Sequence, residues 1–443
     1  MRISLPDHAL RAIALLEEQG FEAYAVGGSV RDALLGLPQG DVDLCTDAEP
    51  SQMQAVFKDF TTIPTGLKHG TLTVLMDRQP IEITTYRTDG TYSDQRHPDR
   101  VTFVRSLKED LARRDFTCNA MAWHPKKGLV DFFDGREAIQ KKELRAVGQP
   151  EKRFTEDALR VLRGLRFACQ LGFSIEEKTL KAMMDKGDGL QAVSKERVAQ
   201  ELNRALCADH VEDALRKYPR LLYFVLEELS PMLHTPQRTK FHAYDVWEHT
   251  IRTVGIAGKD LALRWAALYH DAGKPYNTQI DPDGTTHFRG HQATSARLMD
   301  QAMVRLKQPK ALKEQTVALV KHHDDRVGPD NLKLWISRLG MDTAKKLLQL
   351  QIADLSTHSI LGQQRVPQLQ ALLLETKGYE KDGKTFDVSS LAISGRDLLD
   401  LGFAPDKRLG RVLEALLKEV LTGQTDNSRE ALLDKAKHLY SAH

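Results

Sequence analysis

Two glycines, Gly27 and Gly28, and two aspartates further along the same segment, Asp41 and Asp43, are the residues whose types and order most directly suggest chemistry. A glycine turn leaves backbone N–H groups open to an anion, and a helix starting behind it adds a favourable dipole. Carboxylates at positions i and i+2 of a strand point to the same side. They repel each other unless a cation lies between them, and hard Mg²⁺ held by oxygens suits that gap. Taken singly, a GG pair is a common turn and a DxD pair a common solvated motif. In this order, a phosphate cradle beside a metal clamp equips the chain to work on a nucleoside triphosphate by in-line displacement with two metal ions.

A second constellation begins near residue 242. His249 is followed by the adjacent His270–Asp271, by His287 and His291, by the pair His322–His323, and by Asp354. A lone histidine on an apolar helix is usually a packing residue. Six or seven of the sixteen histidines, in this order and with an adjacent carboxylate, point to a metal centre instead. Imidazole and carboxylate donors suit Mn²⁺, Fe²⁺, Ni²⁺, Zn²⁺ or Mg²⁺ with positions open to water, not a closed cysteine-rich zinc site. The sequence leaves open which of His322 and His323 faces inward.

The elements that must position these groups follow from periodicity. Residues 24–26 read as an apolar strand, 27–28 as the turn, 29–35 as a helix, and 42–45 as a second strand carrying Asp41 and Asp43. A helix is expected over 49–57 and strands over 69–76 and 81–86, the last bearing Glu82 between isoleucines. The polar, glycine- and proline-punctuated stretch 88–100 reads as a loop. Residues 156–167, EDALRVLRGLRF, have helical spacing, with Leu159, Leu162 and Leu165 on one face and Arg160, Arg163 and Arg166 in line. The plain reading of Asp157 and Arg160 is an i,i+3 ion pair worth about a few tenths of a kcal/mol. The other reading comes from base chemistry. Cytosine and adenine present an amino donor beside a ring-nitrogen acceptor, whereas uracil and guanine present the reverse. A carboxylate beside a guanidinium therefore selects C and A, and unpaired buried polar groups make the rejection of U and G steep.

At 443 residues the chain has room for about three or four domains. Its 41% hydrophobic and 28% charged content is that of an ordinary soluble protein. No run of eighteen apolar residues suggests a membrane span. The first twenty residues read as an amphipathic helix closed by Gly20, not as a signal peptide. The four cysteines have no paired spacing, as expected of a reduced cytoplasmic protein. A net charge of +2 neither demands nor excludes a nucleic-acid partner, because a local basic patch suffices.

The segment 24–47, YAVGGSVRDALLGLPQGDVDLCTD, together with RRDFTCNA at 113–120, resembles the class II tRNA nucleotidyltransferase and poly(A) polymerase family. The order H…HD…H…H…D resembles the HD phosphohydrolase superfamily, as in bacterial members that carry a C-terminal HD domain. The resemblance implies an α+β fold: a nucleotidyltransferase (DNA polymerase β-like) head with a small mixed sheet over 1–145, then an all-helical neck over 146–235, an HD domain over 236–376 and a helical tail over 377–443. It implies Mg²⁺ on Asp41 and Asp43, with Glu82 as third carboxylate. It implies nucleotide contacts from Gly27, Gly28, Ser29, Arg31, Arg114, Asp115 and Asn119. EDxxR is the family's template for choosing CTP or ATP, here Asp157 and Arg160, with Arg163 and Arg166 on the triphosphate or primer backbone. The loop 88–100 is similar to the flexible loop of CCA-adding members, VDFFDG at 130–135 to the strand and turn closing the head, and VSKERVAQEL at 193–202 to the RNA-binding segment. In the HD region the match implies His249, His270, Asp271 and Asp354 as one metal site. His291 with His322 or His323 would complete a second, holding Mn²⁺, Ni²⁺, Mg²⁺ or Fe²⁺. The tail is implied to grip the tRNA body. The activity so implied is template-independent addition of CMP and AMP to tRNA 3′ ends, with the HD domain acting on 3′-phosphate or 2′,3′-cyclic phosphate ends. Poly(A) synthesis, CC-only or A-only addition, and an HD phosphodiesterase with an RNA-binding head are the alternatives.

Overall fold

The computed structural model describes residues 3–38, 40–89 and 101–441. The chain divides into two compact units, Met1–Glu227 and Glu228–His443. The fold is α+β, as the sequence implies, with the seven-stranded sheet confined to the first unit; the expected all-helical remainder is interrupted by two short ribbons, Glu143–Leu144 with Ser174–Ile175 and Gln279–Ile280 with Thr286–His287. Among the described residues no helix is long and apolar enough to cross a membrane.

In the first unit the helix Asp7–Glu18 buries Ala9, Ala12, Ile13 and Leu16, the stripe expected of an amphipathic helix. The strands are β1 (Ala23–Val26), β2 (Asp43–Thr46), β3 (Thr61–Ile63), β4 (Thr71–Met76), β5 (Gln79–Thr85), β6 (Arg87–Asp89), β7 (Val101–Phe103), β8 (Met121–His124) and β9 (Gly128–Asp131). Seven of them form one sheet in the order β3-β4-β5-β2-β1-β8-β9. The β2–β5 pair is parallel and the other pairs are antiparallel. The β4–β5 hairpin turns on Asp77 and Arg78, both with positive φ, the backbone that matches strand twist in a two-residue turn. β6 and β7 pair as a separate ribbon. Thus the expected loop over 88–100 is a strand up to Asp89, and residues 90–100 lie outside the described residues.

Register sets the site. Val26, the last residue of β1, pairs with Asp43, the first of β2, and Asp43 pairs across the parallel ladder with Glu82. The glycine turn and the carboxylates therefore share one end of the sheet. β2 starts at Asp43 and not at Val42, so Asp41 lies in the lead-in. The lead-in keeps the strand's alternation even so: Asp41 and Asp43 are exposed while Val42 and Leu44 are buried.

Residues 156–167 are not one helix. The helix Pro150–Glu156 ends at Asp157, whose backbone is extended (φ −143°, ψ 104°), and a second helix runs Leu159–Leu171. Asp157 Oδ1 accepts from the Leu159 N–H at 3.0 Å. A short carboxylate competes with the helix for backbone donors, which is why aspartate here breaks the helix and starts the next one. Leu159, Leu162 and Leu165 are buried as expected.

The second unit is helical. Helices Val246–Ile256, Leu261–Tyr269, His291–Arg305, Lys310–His322 and Met341–Ser356 gather the histidines, packed over a core that includes Trp265 and Tyr269. The tail carries the helices Gly395–Asp400, Lys407–Leu421 and Arg429–Ser441. They close on their own core of Leu398, Leu413, Leu416 and Leu432, each such side chain contributing roughly 1.5–3 kcal/mol on burial.

Candidate active site and metal centre

A polar cleft of about 690 Å³ opens at the carboxylate end of the sheet. Gly27, Gly28, Arg31, Asp43, Arg114, Asp115, Asn119, Asp157, Arg160, Arg163 and Arg166 all line it. Gly27 precedes the helix Gly28–Leu35 with φ +76°, and a Cβ on it would stand 2.9 Å from Arg114 Nη1. The positive φ is what calls for glycine here, since the nearby guanidinium ends a flexible side chain that can shift. Ser29 is buried with its hydroxyl donating to the Val26 carbonyl at 3.2 Å, a local helix-start bond directed away from the cleft.

Asp43 is flanked by Glu82 and Asp41. Desolvation by the surrounding protein, despite an open solvent side, pushes its carboxyl up to about 6; Glu82 and Asp41 add to this and Arg114 opposes it. A carboxyl that resists ionising beside two further carboxylates belongs to a donor set that fits a hard cation.

Across the cleft from this cluster the charges are locked. Arg31 Nη1 donates to Asn119 Oδ1 at 2.6 Å, and Asn119 Nδ2 donates to Asp115 Oδ1 at 3.2 Å. Arg163 Nε and Nη2 each lie 2.7 Å from Asp115 Oδ2. Burial pushes the Asp115 carboxyl up, but Arg163, Arg160 and its hydrogen bonds outweigh it and lower the group to about 2. Asp115 is thus an ionised anchor for the RRDFTCNA segment. Arg31, Arg163 and Arg166 lie 5.2, 5.4 and 4.1 Å from the Phe167 ring centroid, which gathers three cations around one aromatic ring.

The plain reading of Asp157 and Arg160 as an i,i+3 ion pair is not what forms. Asp157 does not pair with Arg160. Its Oδ2 accepts from Arg197 Nη2 at 3.0 Å. Arg160 instead donates to Glu156 at 2.9 Å and to the carbonyls of Arg153 and Arg113 at 3.1 and 2.9 Å. The helix break at Asp157 turns the aspartate away from the i,i+3 position and toward the helix Lys195–Leu206. Arg160 retains N–H groups beyond these bonds and Asp157 retains lone pairs, so both still offer polar edges to a ligand. Sequence reading missed Arg197 and Glu156. Arg197 lies inside the VSKERVAQEL stretch, and the i,i+4 spacing of Glu156 and Arg160 was the available signal.

In the second unit the structure brings together His249, His270, Asp271, His291, His323 and Asp354 in overlapping donor groups that share His249 and Asp271. His322 is not with them. Its Nδ1 lies 2.6 Å from Asp325 and its ring rests on Trp335, so of the pair the sequence left open, His323 faces inward. His287 pairs with Asp281 at 2.7 Å, also apart from the cluster.

The inward nitrogens have a defined state. Nδ1 of His270, His291 and His323 contacts the carbonyls of Ala267, Phe288 and Val320 at 2.8, 2.8 and 2.7 Å. A carbonyl only accepts, so each Nδ1 carries a proton, and in the neutral ring Nε2 presents the lone pair. His249 Nδ1 contacts Thr357 Oγ1 at 2.7 Å. That hydroxyl gives its own proton to the Asp354 carbonyl, so His249 obeys the same rule. Burial pushes His249 down to about 4, against the pull of Asp354 and Asp271.

These lone pairs face one another. His249 Nε2 lies 3.1 Å from His270 Nε2, 3.0 Å from Asp354 Oδ1 and 3.4 Å from Asp271 Oδ2. On the other side, His291 Nε2 lies 3.3 Å from His323 Nε2 and 3.3 Å from Asp271 Oδ1. Donors bound at about 2.1 Å to one ion stand about 3.0 Å apart at a right angle and about 3.4 Å apart at a tetrahedral angle. The spacing therefore fits shared cations, and Asp271 offers one oxygen to each cluster. Burial pushes the Asp271 carboxyl up, but His270 and Lys274 hold it well below the usual range. Lys274 Nζ lies 2.6 Å from Asp271 Oδ2.

Comparison with known proteins agrees with the sheet and cleft of the first unit. Residues 23–145 match the family model of the poly A polymerase head domain, 172–234 that of a probable RNA and SrmB-binding site of polymerase A, and 293–436 that of tRNA nucleotidyltransferase domain 2. A CCA-adding enzyme of Enterococcus faecalis is 35% identical over 98% of this chain and 97% of its own length. One from Levilactobacillus brevis is 34% identical over 94% of each chain. Among solved structures, the Bacillus stearothermophilus CCA-adding enzyme in complex with CTP aligns with a TM-score of 0.75 at 28% identity, over 98% of this chain and 97% of that one. Fold, cleft and relatives agree, and the chain belongs to the tRNA nucleotidyltransferase and poly(A) polymerase family, alongside the CCA-adding enzymes.

Proposed function

We propose that the chain is a CCA-adding nucleotidyltransferase, transferring CMP and AMP from CTP and ATP to a tRNA 3′ end without a nucleic-acid template. The observation that carries this reading is the convergence at one sheet end of the Gly27 turn, Asp43 with Glu82, and an arginine-lined cleft. The full-length likeness to CCA-adding enzymes, one of them solved with CTP, supports it. In this reading Asp41, Asp43 and Glu82 hold Mg²⁺. Bound there, Mg²⁺ supplies Lewis acidity that acidifies the tRNA 3′-hydroxyl and offsets charge on the departing pyrophosphate. The chain's own groups do the positioning. Backbone N–H groups at Gly27–Gly28 and the Arg31 guanidinium, braced by Asn119, orient the triphosphate. Arg114, Asp115 and Asn119 fix the sugar side, and Arg163 and Arg166 meet phosphate oxygens. Asp157 accepts from the base amino group while Arg160, held by Glu156, donates to the ring nitrogen.

Arg197 then acts as a positioning residue for Asp157. Replacing Arg197 by Ala removes a charge-assisted hydrogen bond worth about 1.5–3 kcal/mol. The expected result is a rise of about tenfold or more in UTP misincorporation relative to CTP, read by sequencing of extended tRNA. An unchanged UTP-to-CTP ratio would refute this role.

For the second unit we propose a metal-dependent phosphohydrolase. His249, His270, Asp271 and Asp354 would hold one ion, and Asp271, His291 and His323 a second. Such ions supply a water-derived nucleophile at neutral pH. The substrate class is a terminal 3′-phosphate or 2′,3′-cyclic phosphate, cleared before nucleotides are added. The labour is then divided among a head (1–145), a neck that selects the base (146–235), an HD domain (236–376) and a tail that grips the tRNA body (377–443).

The test supplies purified protein and Mg²⁺ with tRNA transcripts ending before CCA or after CC. Labelled CTP and ATP are given singly and together, and the products are sequenced. Addition of CCA followed by a stop is expected. A long A tail, or C addition alone, would overturn the proposal.

A further inference from the structure

We propose that His358 is a metal ligand of the second unit, a fifth donor to the position formed by His249, His270, Asp271 and Asp354. The inference rests on the metal reading of that unit. His358 falls outside the H…HD…H…H…D order, yet its Nε2 lies 3.2 Å from Asp354 Oδ1, the oxygen that stands 3.0 Å from His249 Nε2. The donor atoms of His249, Asp354 and His358 lie within 4.8 Å of one another. The 3.2 Å between His358 Nε2 and Asp354 Oδ1 falls in the range of about 3.0–3.4 Å that two donors to one ion take up.

The chain is built to put the ring there. The helix Met341–Ser356 ends just before it, and the next turn is carried by the N–H groups of Thr357 and His358 donating to the carbonyls of Asp354 and Leu355 at 3.0 and 3.1 Å. His358 thus stands one turn beyond Asp354 on the same side, with Thr357 between them holding His249 Nδ1. The ring is confined. His242 packs on it with centroids 4.4 Å apart, and a Cβ on Gly362 would come within 2.5 Å of His358 Cβ and 2.8 Å of its Nδ1. The side chain is 12% exposed. A simple ion pair between Asp354 and His358 accounts for their contact alone. It does not account for three Nε2 or carboxylate donors meeting at one point beside a fourth and fifth.

The consequence is chemical. Three imidazoles and two carboxylate oxygens leave one position of an octahedron for water or a phosphate oxygen. A third nitrogen donor favours a borderline transition ion over Mg²⁺, which prefers oxygens. The two units would then use different metals, with Mg²⁺ in the head and a transition ion in the second unit.

The test is titration of metal-free full-length protein with Co²⁺, with Mg²⁺ in excess to occupy the head. The visible d–d absorption is followed, and metal content is measured after gel filtration. His358→Ala is expected to weaken Co²⁺ binding at one position by at least about tenfold and to change the absorption spectrum. Gly362→Ala, which crowds the ring without removing a donor, is expected to shift the spectrum in the same direction. His322→Ala should match the wild type. Melting curves in chelator check that each variant folds. Wild-type affinity and spectrum in His358→Ala would overturn the inference while leaving the metal centre standing. Failure of the wild-type protein to bind Co²⁺ at all would overturn the metal reading, and this inference with it.

Discussion

Asp43→Ala is expected to lower incorporation of CMP and AMP into tRNA by more than about 10³-fold, with no loss of thermal stability. The size follows from its place in the register. Asp43 pairs with Glu82 across the parallel ladder and shares a side with Asp41, so its removal takes the central member from the proposed cation site. The stability claim follows from the sign of its pKa shift. Desolvation, with Glu82 and Asp41, raises the carboxyl from its ordinary value to about 6. A carboxyl raised in the folded state favours folding when protonated, below the unfolded pKa, and burdens the fold above about pH 6, where it must ionise. At neutral pH the alanine variant sheds a repelled charge, so its melting temperature should equal or slightly exceed that of the wild type. Single-turnover incorporation with labelled CTP, beside a melting curve in chelator, checks both halves. Transfer within tenfold of wild type would refute the catalytic assignment. Lost transfer with a collapsed melting curve would show that Asp43 is structural instead.

Legibility in the sequence followed the range of the interactions involved. The β1–turn–helix–β2 segment was readable because its signals are local: apolar alternation, a glycine turn, and acids at i and i+2. The His270–Asp271 step and the tail helices were readable for the same reason. The partner of Asp157 was not. An i,i+3 pair with Arg160 presumes an unbroken helix, and the aspartate's own side chain breaks it by capping Leu159. Arg197 then reaches it from 40 residues away in sequence, a contact set by packing of the neck helices and not by periodicity. His322 and His323 straddle a helix end, where a 3.6-residue phase no longer predicts direction; the backbone contact from His323 Nδ1 to Val320 decides it. His358 escaped because it follows a helix terminus and so belongs to no periodic stripe.

Asp271→Asn is expected to empty both metal positions of the second unit at once, while His291→Ala empties only one. The reason lies in the carboxylate's two oxygens. Oδ2 stands 3.4 and 3.3 Å from His249 and His270, and Oδ1 stands 3.3 and 3.7 Å from His291 and His323. An amide keeps the shape and one accepting oxygen but loses the charge, so it cannot serve two cations. Asparagine is preferred to alanine because Lys274 is buried, with its Nζ 2.6 Å from this carboxylate and 2.7 Å from Gln237 Oε1. Removing that ammonium's charged partner together with its oxygens would cost about 3–5 kcal/mol and confuse lost binding with lost folding. Metal content by mass spectrometry is expected to fall from two ions toward none in Asp271→Asn, and hydrolysis of 3′-phosphorylated RNA ends to fall by more than about 10²-fold. CCA addition to an unphosphorylated tRNA should stay within about twofold, because every group proposed for transfer lies in the first unit. Loss of one ion only would refute the bridging role. Loss of transfer together with metal would mean that the two chemistries depend on each other, against the division of labour proposed for the two units.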